Sequence, residues 1–304
     1  MDINLDNIIY PYFVTSGKNR KQEIKNFPGV FRFSVDRLTR DIRQIKSLGI
    51  NKVLLFGIPD TKDNLARAAY QQDNIVSLAI EQLKAKFKGL TVITDVCLCA
   101  YTEHGHCAIL KKNRKEIDHK ATLDTLAKIA LSHARSGTDW VAPSAMAKKQ
   151  VWVIRETLGK NGLPDTKIMG YSAKFASNFY GPFRNAADSS PKFGDRRGYQ
   201  LDYAQAKAAL REVEADIKEG ADTVMVKPAL GYLDVIRQVK SQFDYPLAAY
   251  NVSGEYAMVK YGAKIGLWDE RKMVFEIITA IKRAGADFII TYHARDLARW
   301  LRSR

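Results

Sequence analysis

A short run of β-branched or aromatic residues, a polar residue or glycine, then a segment with apolar residues at helical spacing: this order recurs along the chain and predicts alternating strands and helices. The predicted strands are 9–14, 52–57, 90–98, 139–143, 167–173, 223–228, 247–252 and 287–292. Segment 36–48 brings Leu38, Ile42 and Ile45 to one helix face, and 121–136 does the same with Leu123, Leu126, Ile129 and Ala130. Segments 205–219 and 272–284 are the next clearest helices. Gly49, Gly137, Gly220 and Gly285 each stand where a helix stops and a strand begins, the position that favours a left-handed backbone. Eight such units, with no GxGxxG after the first strand, predict an α/β fold: a single closed (β/α)8 TIM barrel rather than an open doubly wound sheet. The expected organisation is one catalytic domain over 9–304, preceded by a very short N-terminal arm, 1–8.

Composition narrows the class. With 46% hydrophobic and 27% charged residues the chain can bury a full core, which excludes disordered and low-complexity proteins. Every apolar run breaks well before the roughly 18 to 20 residues of a membrane helix, and the first residues carry no basic leader, so a cytoplasmic protein is expected. The three cysteines all fall between positions 97 and 107, too close for a stapling disulfide framework, which points to a reducing compartment. Lys and Arg exceed Asp and Glu by 48 − 33 = 15, a balance that would suit a polyanion. The densest stretches, 18–25 and 111–120, are interrupted by acids and lack interleaved aromatics, so a nucleic-acid partner is not expected.

In a barrel the chemistry lies at the carboxyl ends of the strands. By alternation, Asp95, Cys97 and Cys99 project from one face at the end of the third strand, and the following loop can return Cys107 to them. Three thiolates suit a zinc ion with one open position, the arrangement of a catalytic site; His104 or His106 as a fourth ligand would close it. The fifth strand ends in Lys174 and the sixth in Lys227. Two lysines at one mouth lower each other's pKa by repulsion and desolvation, and a neutral amine is what Schiff-base formation with a ketone requires. The stretch after Lys174 is rich in Gly, Ser and aromatics and carries Arg184 and Arg196, as a lid that brings guanidinium groups onto a carboxylate would.

These residues stand in blocks: Asp95-Val-Cys-Leu-Cys99 with His104-Gly-His-Cys107, Tyr171-Ser-Ala-Lys174 with Tyr180-Gly-Pro-Phe-Arg184, Met225-Val-Lys-Pro228, and Val252-Ser-Gly-Glu-Tyr-Ala-Met258. In this order they closely resemble the porphobilinogen synthase (5-aminolevulinate dehydratase) family, zinc-dependent type, from about Asn7 to the C-terminus. The resemblance implies a lyase of tetrapyrrole (haem) biosynthesis that condenses two 5-aminolevulinate molecules to porphobilinogen with loss of two waters. It implies Lys227 as the Schiff-base residue for the first substrate and Lys174 for the second, with Asp95 and Ser144 beside the first substrate's amino group. Ser253 and Tyr292 would hold the first carboxylate, and Arg184, Arg196 and Gln200 the second. Cys97, Cys99 and Cys107 would bind the catalytic Zn2+, one per subunit.

The chain departs from the family in three places. The usual Ser-Asp-Met-Met-Asp-Gly-Arg after the fourth strand is Ser144-Ala-Met-Ala-Lys-Lys-Gln150, and the Asn-Asp pair after the cysteine loop is replaced around Glu116-Ile-Asp-His119. Only about eight residues precede Ile9 where relatives carry a long arm; a homo-oligomer is expected, but the octamer and the allosteric Mg2+ are not. His293, after Tyr292, has no evident role. The alternative is a catalytically impaired member that survives as a binding or regulatory protein.

Overall fold

The computed structural model describes residues 3–112 and 116–303; positions 1 and 2 of the arm, 113–115 in the second basic stretch, and 304 lie outside the described residues. Strand β1 (Ile8–Thr15) is followed by a small antiparallel pair, β2 (Lys21–Glu23) and β3 (Phe31–Phe33). Then come β4 (Lys52–Ile58), β5 (Thr91–Val96), β6 (Trp140–Pro143), β7 (Lys167–Lys174), β8 (Thr223–Lys227), β9 (Leu247–Asn251) and β10 (Phe288–Thr291). Each of these pairs in parallel with the next, β1 pairs with β4, and β10 returns to β1 through Ile8 opposite Ile289 and Ile9 opposite Ile290. The eight predicted strands are therefore the eight staves of a closed barrel. β1, β8 and β9 are buried from end to end, which explains why they read as continuous apolar runs rather than alternations.

The helices are α1 (Val35–Ser47), α2 (Ile75–Lys86), α3 (His119–Arg135), α4 (Gln150–Lys160), α5 (Gly181–Ala186), α6 (Ala206–Lys218), α7 (Leu233–Phe243), α8 (Ser253–Lys264), α9 (Glu270–Ala284) and α10 (Ala294–Arg302). The predicted stripe of α1 is buried as Leu38, Ile42 and Ile45, and the four helix-ending glycines all take positive φ, from +93° to +124°. Asp118, inside the replaced Asn-Asp segment, caps α3 by accepting from Ala121 N at 2.9 Å.

The amino-terminal end of the barrel is sealed by a repeated device. The residue before β6, β8 or β10 is an aspartate, Asp139, Asp222 or Asp287, that accepts a backbone N–H from the preceding strand: Val92 at 2.7 Å, Ile168 at 2.7 Å and Leu247 at 2.9 Å. Each aspartate also pairs with a helix cation, Lys84, Arg155 or Lys240. This rim is built for stability, and the opposite rim is left for chemistry.

One irregularity matters there. Gly170 opposes Val224 but Ala173 opposes Val226, so β7 carries one extra residue against β8, and Lys174 then stands opposite Lys227.

Candidate active site

Lys227 ends β8 and is 4% exposed. Its Nζ lies 4.2 Å from the ring centre of Tyr250, 4.9 Å from Tyr171, 5.1 Å from Phe183 and 5.4 Å from Tyr180. Such π faces attract an ammonium, by up to about 2 kcal/mol when desolvated, but they do not replace its hydration. Burial, with the charge of Lys174 added, pushes the Lys227 pKa down to about 7, while Asp95 and the cysteines oppose the shift. Close to neutrality a large share of this amine is unprotonated.

Lys174 Nζ lies 5.6 Å from the centre of the same Tyr171 ring and donates to the Ser144 carbonyl at 2.5 Å. Asp95 feels both lysines and Cys107; burial raises its carboxyl to about 6, and Lys174, Ser144 and Lys227 act in the opposite direction. The two lysines, Asp95 and Ser144 thus meet at one mouth.

The cysteines meet there too, by a different route from the one alternation suggests. β5 ends at Val96, so Cys97 and Cys99 do not lie on a strand face. A turn closed by Leu98 O, which accepts from Tyr101 N and Thr102 N, delivers them instead. Cys97 and Cys99 are 3.6 Å apart at sulfur, and one Sγ from each of Cys97, Cys99 and Cys107 lies within 4.8 Å of the others. Hydrogen bonds from Cys97 and Cys99 hold the Cys107 thiol well below its usual range, helped by Arg196 and Lys174. Neither histidine completes the set. His106 uses one ring nitrogen on Tyr199 Oη (3.2 Å) and the other on Phe193 O (3.0 Å), and the Nδ1 of His104 accepts from His106 N. The three sulfurs therefore remain an open set, and their donor chemistry fits a thiophilic dication.

The predicted lid is an ordered cover containing α5. Ser253 Oγ accepts from Phe183 N at 3.0 Å and donates to Phe179 O at 3.2 Å, and Arg32 on β3 donates to Ala186 O and Asn185 O. Ser253 is thus the latch of the lid, with its proton already placed. Beneath the lid, Arg196 is buried and donates to Gly105 O and Ser189 O, yet its Nε, the Nε of Arg184 and both amide atoms of Gln200 are buried without a partner among the described residues. Buried polar groups normally find partners, so these atoms mark where a polar ligand belongs. Tyr292 Oη pairs at 3.1 Å with the Oη of Tyr250, whose ring lies against Lys227 Nζ.

The latch depends on one glycine. A Cβ on Gly254 would sit 2.6 Å from Phe179 O and 2.7 Å from its Cα. Gly254→Ala is accordingly expected to displace the lid and lower kcat/KM about tenfold or more; a wild-type value in steady-state kinetics would mean that the lid is not held from here.

A family model described as "Delta-aminolevulinic acid dehydratase" matches residues 1–300. The chain belongs to this family. It is 49% identical over 293 residues to the delta-aminolevulinic acid dehydratase of Archaeoglobus fulgidus, covering 96% of this chain and 90% of that one. With the Methanothermus sociabilis dehydratase it shares 51% over 295 residues, covering 97% and 91%. The Toxoplasma gondii enzyme, solved in complex with its reaction product porphobilinogen, superposes with a TM-score of 0.96 at 39% identity, covering 98% of this chain and 85% of that one.

Against the family pattern, the altered segment after β6 lines a cavity of about 300 Å³ behind β7, together with Tyr171, Ser172, Glu212 and Asp216. Within it Lys149 takes φ +65°, a left-handed conformation that the usual glycine adopts more easily. His293 is fully buried against the Tyr256 ring, centres 4.4 Å apart, and burial keeps it neutral. One of its nitrogens lies within 4.8 Å of oxygens of Glu270 and Asp296, but Lys260 already bridges those carboxylates at 2.5 and 2.6 Å. No described helix is long and apolar enough to cross a membrane. The aromatic cage of Lys227 escapes a reading of the sequence: Tyr171 and Tyr180 stand in the blocks that carry the family resemblance but without a role, and Tyr250 lies inside a strand that gives no reason to single it out.

Proposed function

We infer that the chain condenses two molecules of 5-aminolevulinate to porphobilinogen with loss of two waters, the first held as an imine on Lys227 and the second as an imine on Lys174. The observation that carries this reading is the lysine at the end of β8, buried in aromatic rings with its pKa down at about 7. Neutral Nζ adds to the keto carbon of the substrate, and the carbinolamine loses water to give the imine; both protons of the amine leave with the oxygen. Lys174, opposite in register, repeats the step on the second molecule.

The carboxylates are assigned by charge and reach. Arg184, Arg196 and Gln200 under the lid suit the carboxylate of the second substrate, and their unpartnered atoms support that use. Tyr292 serves the first, with Ser253, whose hydroxyl would leave Phe179 O to donate to it. Asp95 and Ser144 lie beside the amino group of the first substrate and orient it. The lid excludes water while the rings around Lys227 keep its amine desolvated. Cys97, Cys99 and Cys107 would hold one zinc ion, which, when bound, polarises a group in its open position and lowers the pKa of bound water.

Three free, closely spaced thiols are best kept in a reducing cytoplasm, which supports that location. Exposed Met258, Tyr261, Ile265 and Leu267 on and after α8 support a homo-oligomer in which a second copy covers them.

The test is direct. Incubation with 5-aminolevulinate is expected to yield a pyrrole detectable by its colour reaction, and borohydride is expected to trap substrate on Lys227. Below pH 7, kcat/KM is expected to fall about tenfold per pH unit as Nζ becomes protonated, and to flatten above it. A protein that binds 5-aminolevulinate without forming pyrrole or labelling Lys227 would be the impaired binding member instead.

A further inference from the structure

We propose that Glu255, acting through Asn251 and Thr291, is the positioning group that holds Lys227, Ser253 and Tyr292 in mutual register at the rim of the barrel. The proposal rests on the assignment of those three residues to the first substrate.

Glu255 is 1% exposed and stands in the first turn of α8, two residues after Ser253. One carboxylate oxygen accepts from Leu230 N at 2.6 Å, in the turn that begins directly after Lys227. The other accepts from Val252 N at 2.6 Å and from Asn251 Nδ2 at 3.2 Å, at the end of β9. The chain of contacts continues: Asn251 Oδ1 accepts from Thr291 Oγ1 at 2.9 Å, and Thr291 Oγ1 accepts from His293 N at 3.1 Å. That last contact brackets Tyr292.

One buried carboxylate and two polar side chains therefore tie together the carboxyl ends of β8, β9 and β10. Parallel strands are linked by backbone hydrogen bonds only as far as the ladder runs; beyond it each turn needs its own restraint. The pairing of β8 with β9 reaches only Val226 opposite Ala249, and that of β9 with β10 stops at Asn251 opposite Thr291. Lys227 keeps its ladder partner Lys174 on the β7 side, but toward β9 and β10 Lys227, Ser253 and Tyr292 all lie past those last pairs, and there the network takes over. Nothing in the chemistry of imine formation needs Glu255 itself: its oxygens are occupied by backbone and amide donors. It acts through the residues it places.

Two nearly isosteric variants test this. In Glu255→Gln a single acceptor oxygen remains, and the new amide NH2 must face the N–H of either Leu230 or Val252. The expected result is a fall in kcat of about tenfold to a hundredfold, with slower borohydride trapping of substrate on Lys227. Thr291→Val removes the hydroxyl that joins Asn251 to the Tyr292 segment, and is expected to raise KM about tenfold while kcat stays within about twofold. Loss of thermal stability with wild-type kcat, KM and trapping rate in both variants would make the network merely structural and overturn the proposal. If Glu255→Gln does not fold, an unchanged KM in Thr291→Val overturns it alone. Absence of trapping in the wild-type protein would instead refute the imine assignment, a different failure with a different signature.

Discussion

Lys227→Met is expected to lose turnover by about 10⁴-fold or more and, at pH 6, to unfold at a higher temperature than the wild type. The first half follows from removing the proposed nucleophile. The second follows from linkage. The pKa of Lys227 lies near 10.5 when the chain is unfolded and near 7 when folded. Between those values the unfolded state binds more protons, so the lysine's contribution to stability improves as pH rises through that window. Below pH 7 the native state carries a buried ammonium and its full cost, about 1.4 kcal/mol for every tenfold by which folding weakens proton binding. Methionine fills a similar volume and packs well against aromatic rings. The advantage of the variant should therefore be largest below pH 7, shrink above it and vanish near pH 10.5. Thermal unfolding of both proteins at several pH values checks the trend; a variant less stable than wild type at pH 6 would mean that the amine is not buried at a cost.

The next largest effect is expected at the sulfurs. On the proposed zinc site, the purified wild-type protein should carry one equivalent of zinc, and serine at Cys97, Cys99 or Cys107 should remove it and lower kcat at least about a hundredfold. A chelator should abolish wild-type turnover, and zinc should restore it. Elemental analysis beside the kinetics separates the alternatives: full activity in metal-free protein would dismiss the ion, and zinc retained after the substitution would place it elsewhere. The fold should survive either treatment, because the eight-stranded ladder closes without the cysteine turn.

The barrel is legible in the sequence because its strands and helices are local patterns. All eight staves fall within two residues of their predicted bounds at each end, and the helix-ending glycines mark four of the junctions. The β2 and β3 pair is not, because three-residue strands leave too short a period to read. At the site, residue types at strand ends point to Lys174, Lys227 and the cysteines, but contacts between distant segments stay hidden. Ser253 as the latch of the lid depends on Phe179 and Phe183, some 70 positions away. The reach of Glu255 to Leu230 is equally silent in sequence. His104 and His106 stand near the cysteines in the chain, yet Tyr199 and Phe193 claim His106, a competition that sequence spacing cannot express.

The extra residue in β7 has a consequence for how such a pair of amines can arise. Along an undisturbed strand, Tyr171 and Lys174, an odd number of steps apart, would face opposite ways, one toward the lumen and one toward the helices. If β7 ran against β8 without the bulge, the same residues would set Ala173 opposite Lys227 and carry Lys174 one step past it. The side-by-side placement of the two amines thus depends on one unpaired residue in a single stave, which shifts everything after it by one step and brings Tyr171 and Lys174 to the same side.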